Sequence, residues 1–185
     1  HRAAQGGRGS GYDVATALHG GLCAYRNDPV APTATSTRWL EGLHAAVLFT
    51  GRGAKTTDHL VRLNAANGAE PGLKRLGEAA EAVLEAWELG GVGAVLEAAS
   101  RAERALDELD ASCDLGIRGG GIQEARKAIE SAGGVARTSG AGGGDCLWAL
   151  AADGEILAQA VAAAEGVGCR RLTVGWPGRG IEVSG

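Results

Sequence analysis

Two long stretches of helical periodicity, framed by short apolar runs, constrain the fold of this chain more than any other feature of its sequence. Apolar residues recur at spacings of three and four in both, which places them on one face of an α-helix and predicts a buried side for each helix. These positions are Leu73, Leu76, Ala80, Val83, Leu84 and Trp87 in the first stretch, and Val92, Val95, Leu96, Ala99, Ala102, Leu106 and Leu109 in the second.

Shorter elements surround these two helices. Apolar runs predict strands at residues 45–49, 135–137, 146–151, 172–174 and 181–183, and further helices are predicted at residues 14–24, 57–66, 122–132 and 156–164. Residues 27–37, with two prolines and several threonines, read as a connection or an edge region. Strands interleaved with helices predict an α+β sandwich with the helices on one face of a sheet.

Composition limits the classes of function. The 185 residues, 45% hydrophobic and 22% charged, make one ordinary domain, or one domain plus part of another. The net charge of −4 argues against general nucleic-acid binding, and no apolar run approaches a membrane span. Four cysteines without a paired spacing predict reduced thiols in a cytoplasmic protein, and neither they nor the histidines predict a metal site.

The first segment that could carry chemistry runs from Gly7 to Arg26, where a glycine-rich loop leads into a helix near Asp13. A carboxylate at such a helix start can accept a proton from an attacking hydroxyl. The alternative is a helix cap, because Ser10 and Asp13 are three residues apart, as in a capping box.

The second segment is SGAGGGDC, residues 139–146. Successive glycine N–H groups can form a concave site for phosphate oxygens, whereas the alternative is a flexible hairpin connection. The candidate phosphate or nucleotide loop consists of Ser139, Gly140, Ala141, Gly142, Gly143, Gly144 and Asp145.

Two tempting motifs fail. The segment FTGRGAKTTDHL resembles a Walker A loop, but Ala54 and Phe49 stand where that motif needs glycine, so capping of the next helix by Thr56, Thr57 or Asp58 is the simpler interpretation. Dinucleotide-binding fingerprints starting at Gly7 and Gly140 fail at their third glycine.

Three segments in this order resemble the GHMP kinase superfamily, and the phosphomevalonate kinases most closely: GSGYDVATALHGGLCAYR, VLFTGRGAKTTDHLV and TSGAGGGDCLWAL. The resemblance implies the end of an N-terminal kinase domain over residues 1–42 and the C-terminal domain over residues 43–185, the latter a ferredoxin-like sheet with helices on one face. It also implies that a missing N-terminal domain or partner chain carries the main ATP-phosphate loop, consistent with a chain that begins inside a functional stretch. Where the family often has Lys-Pro before the glycines, this chain has Arg137-Thr138.

The activity implied by this resemblance is ATP- and Mg²⁺-dependent phosphorylation of 5-phosphomevalonate to the diphosphate, in isoprenoid precursor synthesis. Asp13 is then the base or substrate-orienting carboxylate, and the loop at residues 139–145 closes over the reacting phosphates. Ser10, Gly11, Arg26 and Lys55 are candidates for substrate binding. Mevalonate kinases, sugar kinases, mevalonate diphosphate decarboxylases and a non-catalytic ligand-binding relative stay open as alternatives.

Overall fold

A computed structural model describes residues 11–28, 30–51, 56–119, 121–140 and 145–175 of the chain. These residues divide into two compact units, the first comprising the described residues up to Trp39 and from Val174, and the second running from Leu40 to Thr173. Across the described ranges, no helix is both long and apolar enough to cross a membrane.

The first unit contains one helix and a hairpin. Helix α1 (Tyr12–His19) is followed by strands β1 (Leu22–Arg26) and β2 (Thr33–Thr37), which pair antiparallel with Leu22 opposite Thr37. None of the residues in α1 is buried.

The helix predicted over residues 14–24 is wrong in its second half. Gly20 and Gly21 both have positive φ angles, 69° and 59°, which end the helix and turn the chain into β1. Strand β2 occupies part of the segment interpreted as a connection or an edge region. Its threonines at alternate positions, Thr33, Thr35 and Thr37, are β-branched residues that favour strands.

The second unit is built on a four-stranded antiparallel sheet. Its strands are β3 (His44–Phe49), β4 (Val135–Thr138), β5 (Cys146–Ala151) and β6 (Arg170–Leu172), and they lie in the order β4-β5-β3-β6. Relative to chain order this is second, third, first, fourth, the arrangement of a ferredoxin-like sheet. The predicted α+β class and sheet type are therefore confirmed.

Two helices cover one face of this sheet, as predicted. Because side chains alternate between the faces of a strand, Leu48, Leu147 and Ala149 point to the same side, where each is fully buried. Helices α5 (Ile122–Ser131) and α6 (Gly154–Gly166) pack on that face and complete the main core.

The remaining helices lie between β3 and β4 in the chain. Helix α2 (Thr56–Ala65) precedes the two long helices α3 (Glu70–Glu88) and α4 (Val92–Cys113), which pack against each other. The two helices predicted from the spacing of apolar residues are thus confirmed. Part of the apolar stripe of α4 is buried, including Val95, Ala99, Ala102 and Leu109.

The last described strand lies two residues earlier than predicted. Residues 172–174 were the expected strand, whereas β6 spans Arg170–Leu172. Arg170 pairs with Phe49 across the sheet and holds its guanidinium 5.9 Å from the centroid of that ring, so a cation–π contact accompanies the pairing. The strand predicted at residues 181–183 lies outside the described residues.

A pair of glycine-to-alanine substitutions tests the packing of α5 and α6. A Cβ on Gly134 would lie 3.0 Å from both Ala160 Cβ and Ile129 Cγ2, whereas one on Gly77, on the surface of α3, meets nothing within 4 Å. We expect Gly134→Ala to lower the free energy of unfolding by about 1–3 kcal/mol through overpacking. Gly77→Ala should raise it by up to about 1 kcal/mol, because alanine favours the helix. Urea denaturation measures both, and equal shifts in the same direction would contradict the packing.

Candidate functional site

The glycine-rich turn between β4 and β5 is fixed at both ends. Ser139 N–H donates to the Cys146 carbonyl at 3.0 Å, closing the two strands. Thr50, at the end of β3, donates to the Asp145 carbonyl from its N–H at 3.0 Å and from its hydroxyl at 3.1 Å. Gly140 enters the turn with a positive φ of 61°, while residues 141–144 lie outside the described residues. The predicted loop therefore leaves β4 and enters β5, and its last residue is also held by the end of β3.

A buried carboxylate supports the last residue of β4. Glu103, on α4, is 1% exposed, and both of its oxygens accept from the Thr138 N–H at 3.2 Å. The Thr138 hydroxyl also donates to Oε1 of Glu103. Both donors of Thr138 are thus directed to one side chain from a helix 35 residues earlier in the chain.

Arginines surround this carboxylate. Arg118 donates to Glu103 Oε1 at 2.5 Å, and Arg137 donates to Glu103 Oε2 at 2.9 Å. Arg126 donates to both oxygens of Asp107, at 2.8 and 3.1 Å. The ion pairs link three arginines to three carboxylates, so the group is formally neutral; we call it the Glu103 cluster, and its members are Glu103, Asp107, Arg118, Arg126, Glu130 and Arg137.

The turn after α4 returns Arg118 to this helix. Asp114 ends α4 in the left-handed conformation, with φ of 49°. Asp110 then accepts from the N–H groups of Ile117 at 3.0 Å and Arg118 at 3.2 Å. These contacts fix the backbone of Arg118, so its side chain reaches the carboxylates of the same helix.

The surroundings of Glu103 keep it ionised. Burial raises the pKa of its carboxyl group, but the charges of Arg118 and Arg137 and the hydrogen bonds from Thr138 outweigh burial and hold the pKa below its ordinary value. For Arg126, burial lowers the pKa of the guanidinium, and the hydrogen bonds and charge of Asp107, with the charges of Glu103 and Glu130, raise it overall.

Cys146 follows the glycine segment and is a free, partly buried thiol. Burial raises its pKa, and the neighbouring Asp145 carboxylate, 3.5 Å from the sulfur, raises it further. The side chain is therefore a neutral thiol at physiological pH. The other three cysteines are also free.

Three other predicted site residues, Gly11, Asp13 and Arg26, belong to the first unit. Gly11 is the N-cap of α1 with φ of 83°. A Cβ on Gly11 would lie 3.5 Å from the hydroxyl of Tyr25, and Tyr25 directly precedes Arg26. Asp13 is exposed and is the second residue of the helix. Gly11 occupies the capping position, so the capping box of Ser10 and Asp13 is out of register with the helix start.

Some of the predicted residues are brought together and others are not. Ser139, Gly140 and Asp145 lie at one end of the sheet in the second unit, whereas Gly11, Asp13 and Arg26 lie in the first. Ser10 and Lys55 fall outside the described residues. Within the described ranges, no group of three histidine, cysteine or carboxylate side chains could hold a metal ion.

The Glu103 cluster was not predicted, although the sequence carries a signal for it. Glu103 is four residues after Ala99 and eight after Val95, so it falls on the stripe of α4 that is otherwise apolar. A charged residue on a buried helix face requires partners. Its partners are 15 to 35 residues away in the chain, and local spacing does not indicate them.

The acid sensitivity of the fold tests the cluster. The pKa of Glu103 is depressed in the folded chain, so its stabilisation is complete above the unfolded pKa of about 4.3 and is lost as the pH falls through the folded value. We expect Glu103→Gln to lower the free energy of unfolding at pH 7 by about 3–5 kcal/mol, since it leaves arginines without their counter-charge. The variant should also lose less of its remaining stability between pH 5 and pH 3.

Glu78→Gln is the control for this measurement. Glu78 forms an exposed pair with Lys74 at 3.9 Å, and the substitution should change stability by less than about 1 kcal/mol. Urea denaturation across the pH range compares the variants. Wild-type stability and pH dependence in Glu103→Gln would show that the cluster does not support the fold.

Neither a protein-family model nor a curated protein sequence matches the chain. Solved structures do. The Lin0012 protein from Listeria innocua superimposes with a TM-score of 0.85 at 22% identity, over 94% of this chain and 56% of that one. Streptococcus pneumoniae phosphomevalonate kinase in complex with phosphomevalonate and AMPPNP superimposes with a TM-score of 0.62 at 23% identity, over 71% of this chain and 38% of that one.

L. major mevalonate kinase in complex with R-mevalonate gives a TM-score of 0.69 at 21% identity, over 89% of this chain and 51% of that one. The chain thus spans 38% to 56% of the length of these proteins. At these identities the likeness concerns the fold. The chain has the fold of the GHMP kinases, the superfamily of the two named kinases, over part of their length.

Proposed function

We propose that this chain is part of an ATP-dependent small-molecule kinase of the GHMP type, with 5-phosphomevalonate as the acceptor. The observation that carries the proposal is the glycine segment at residues 140–144, which joins two hydrogen-bonded strands of a GHMP kinase fold and ends in Asp145-Cys146. Backbone N–H groups of such a segment suit the oxygens of a transferring phosphoryl group. The S. pneumoniae phosphomevalonate kinase was solved with phosphomevalonate and a nucleotide, AMPPNP.

In this reaction an oxygen of the acceptor attacks the γ-phosphorus of ATP, and ADP leaves. Asp13 accepts the proton of that oxygen when it carries one, or orients the acceptor. Its position in the first turn of α1, exposed and after the left-handed Gly11, supports this role. Gly11 and Arg26, with Ser10 and Lys55 from outside the described residues, are proposed to bind the charged groups of the substrate.

Mg²⁺ would neutralise charge on the nucleotide phosphates when bound. The described residues offer no group of three metal ligands. Mg²⁺ commonly keeps several waters and takes only one or two carboxylates besides the phosphates, so the nucleotide itself would supply most of its protein-independent ligands. The protein's contribution is then positioning and charge stabilisation at residues 139–145.

Mevalonate is the second candidate acceptor. The L. major mevalonate kinase aligns with 89% of this chain, compared with 71% for the phosphomevalonate kinase. The two reactions differ at the attacking atom, which is a phosphate oxygen in phosphomevalonate and a hydroxyl in mevalonate. The Gly-Asp-Cys sequence at residues 144–146 supports the first candidate by its resemblance to phosphomevalonate kinases.

The domain division belongs to the same proposal. Residues 1–42 would form the end of an N-terminal kinase domain and residues 43–185 the C-terminal domain. A further domain or a partner chain would supply the main ATP-phosphate loop.

A substrate panel tests the proposal on the polypeptide as its gene encodes it. Phosphomevalonate, mevalonate, homoserine and galactose are each incubated with ATP and Mg²⁺, and ADP release and product mass are measured. Diphosphomevalonate is included, since carbon dioxide release from it would identify a decarboxylase. We expect turnover with phosphomevalonate; absence of phosphoryl transfer to every acceptor would overturn the proposal.

Substitution of Asp13 tests its role. Asp13→Asn should lower turnover by about 10²–10⁴-fold, because the amide cannot accept a proton, while the unfolding transition stays close to wild type. Glu124→Gln is the matched control, since Glu124 is also an exposed carboxylate in the first turn of a helix. Steady-state kinetics and thermal denaturation measure the two effects. Unfolding of the Asp13 variant with normal turnover of its folded fraction would make Asp13 a structural residue.

A valine at Gly143 tests the phosphate loop. The new Cβ should obstruct the approach of phosphate oxygens to the backbone, so Gly143→Val should raise the KM for ATP or the acceptor more than it changes stability. Gly93→Val is the control, because a Cβ on Gly93 in α4 meets nothing within 4 Å. Unchanged KM and kcat in the Gly143 variant would remove the loop from the site.

A further inference from the structure

The outward side of strand β4 carries an unusual hydrogen-bond arrangement. Strand β4 lies at the edge of the sheet and pairs with β5 on one side. Ser139 N–H points toward β5, where it donates to Cys146, so the preceding N–H, that of Thr138, faces away from the sheet. An outward N–H of an edge strand normally bonds to water, but that of Thr138 is bonded to the buried carboxylate of Glu103.

This contact fixes the residue from which the glycine segment begins. The Thr138 hydroxyl also donates to Glu103, and Arg137, one residue earlier, donates to the same carboxylate at 2.9 Å. The last two residues of β4 are therefore both held by Glu103. A proline at position 138 could donate no N–H, so the bonds from the backbone of position 138 to Glu103 require a residue other than proline there.

We infer that Glu103 is a positioning residue: through Thr138 and Arg137 it sets the course of the chain into Ser139 and Gly140, the first two residues of the proposed phosphate loop. The inference rests on the proposed function for the loop's role, and on the hydrogen bonds of Glu103 for the positioning. Glu103 lies on the outward side of β4 and is 1% exposed, so it acts through its neighbours.

The experiment separates positioning from general stability with four variants. Thr138→Val removes the hydroxyl donor and keeps the backbone N–H, and Glu103→Gln removes the charge that both residues bind. Asp107→Asn is the matched control, because Asp107 belongs to the same cluster and bonds Arg118 and Arg126. Thr138→Ser restores the hydroxyl and should recover wild-type behaviour.

Two readouts are compared at native conditions. Amide hydrogen exchange is measured at Ser139 and Thr50, whose N–H groups close the two ends of the glycine segment. The KM for ATP and kcat are measured with the polypeptide as its gene encodes it. We expect Thr138→Val and Glu103→Gln to speed exchange at Ser139 by on the order of tenfold, since each weakens bonds to a charged group. The same variants should lower kcat/KM.

The outcomes divide clearly. Asp107→Asn should lower the global free energy of unfolding. At the same loss of global stability, it should change the exchange rate of the Ser139 N–H and the kinetic constants far less than Thr138→Val does. Wild-type exchange at Ser139 in Thr138→Val, or an equal effect of Asp107→Asn, would overturn the inference even if Glu103→Gln fails to fold. If the wild-type polypeptide transfers no phosphoryl group, the proposed function is contradicted. The exchange measurement would still test the positioning by Glu103, because it does not depend on that function.

Discussion

The carboxylate of Glu103 is the point at which three distant segments of the second unit meet. It accepts hydrogen bonds from Arg118, from Arg137 and from both donors of Thr138. Glu103 itself lies on the buried, otherwise apolar stripe of α4. A carboxylate that is 1% exposed persists only where its charge is matched, and here the arginines match it. The end of β4 and the turn that returns from α4 therefore depend on one group.

A buried ionic cluster of this kind is weak evidence for stability in itself. The desolvation of charged groups offsets much of their attraction, and apolar residues of the same volume often stabilise a fold as well. The Glu103 cluster does something that apolar packing would not do, because hydrogen bonds have direction. It fixes the backbone of Thr138 and the guanidinium of Arg137 relative to α4. The cluster thus specifies one arrangement of the strand end at which the glycine segment begins.

The sequence predicts most elements of the second unit because its helices and strands have strong periods. The spacings from Leu73 to Trp87 and from Val92 to Leu109 correspond to α3 and α4, and the apolar run near Val47 corresponds to β3. The first unit is predicted less well. Its short helix ends at two glycines of positive φ, and whether such glycines loosen a helix or stop it depends on backbone angles that residue types do not determine.

The candidate site shows a similar division. Residues 139–145 could be identified as a segment, and their position at a turn between paired strands agrees with the strands predicted on either side. The contact of Glu103 with Thr138, which holds the start of this segment, could not be identified. The two residues are far apart in the chain and meet only when α4 packs beside β4. Contacts of long sequence separation follow from the tertiary fold and leave little trace in local pattern.

The outward N–H of Thr138 also bears on association between molecules. Unpaired groups along an edge strand are a template for strands of other chains, and proteins protect such edges by covering them or keeping them short. Both devices are present in the described sheet. Glu103 accepts a hydrogen bond from the outward N–H of Thr138 at the end of β4, and the opposite edge strand, β6, has only three residues. Protonation of Glu103 would weaken its hold on that N–H, so acid would expose a strand end to pairing with neighbouring molecules. The charge that orders the strand within one molecule thereby also covers the end of its edge.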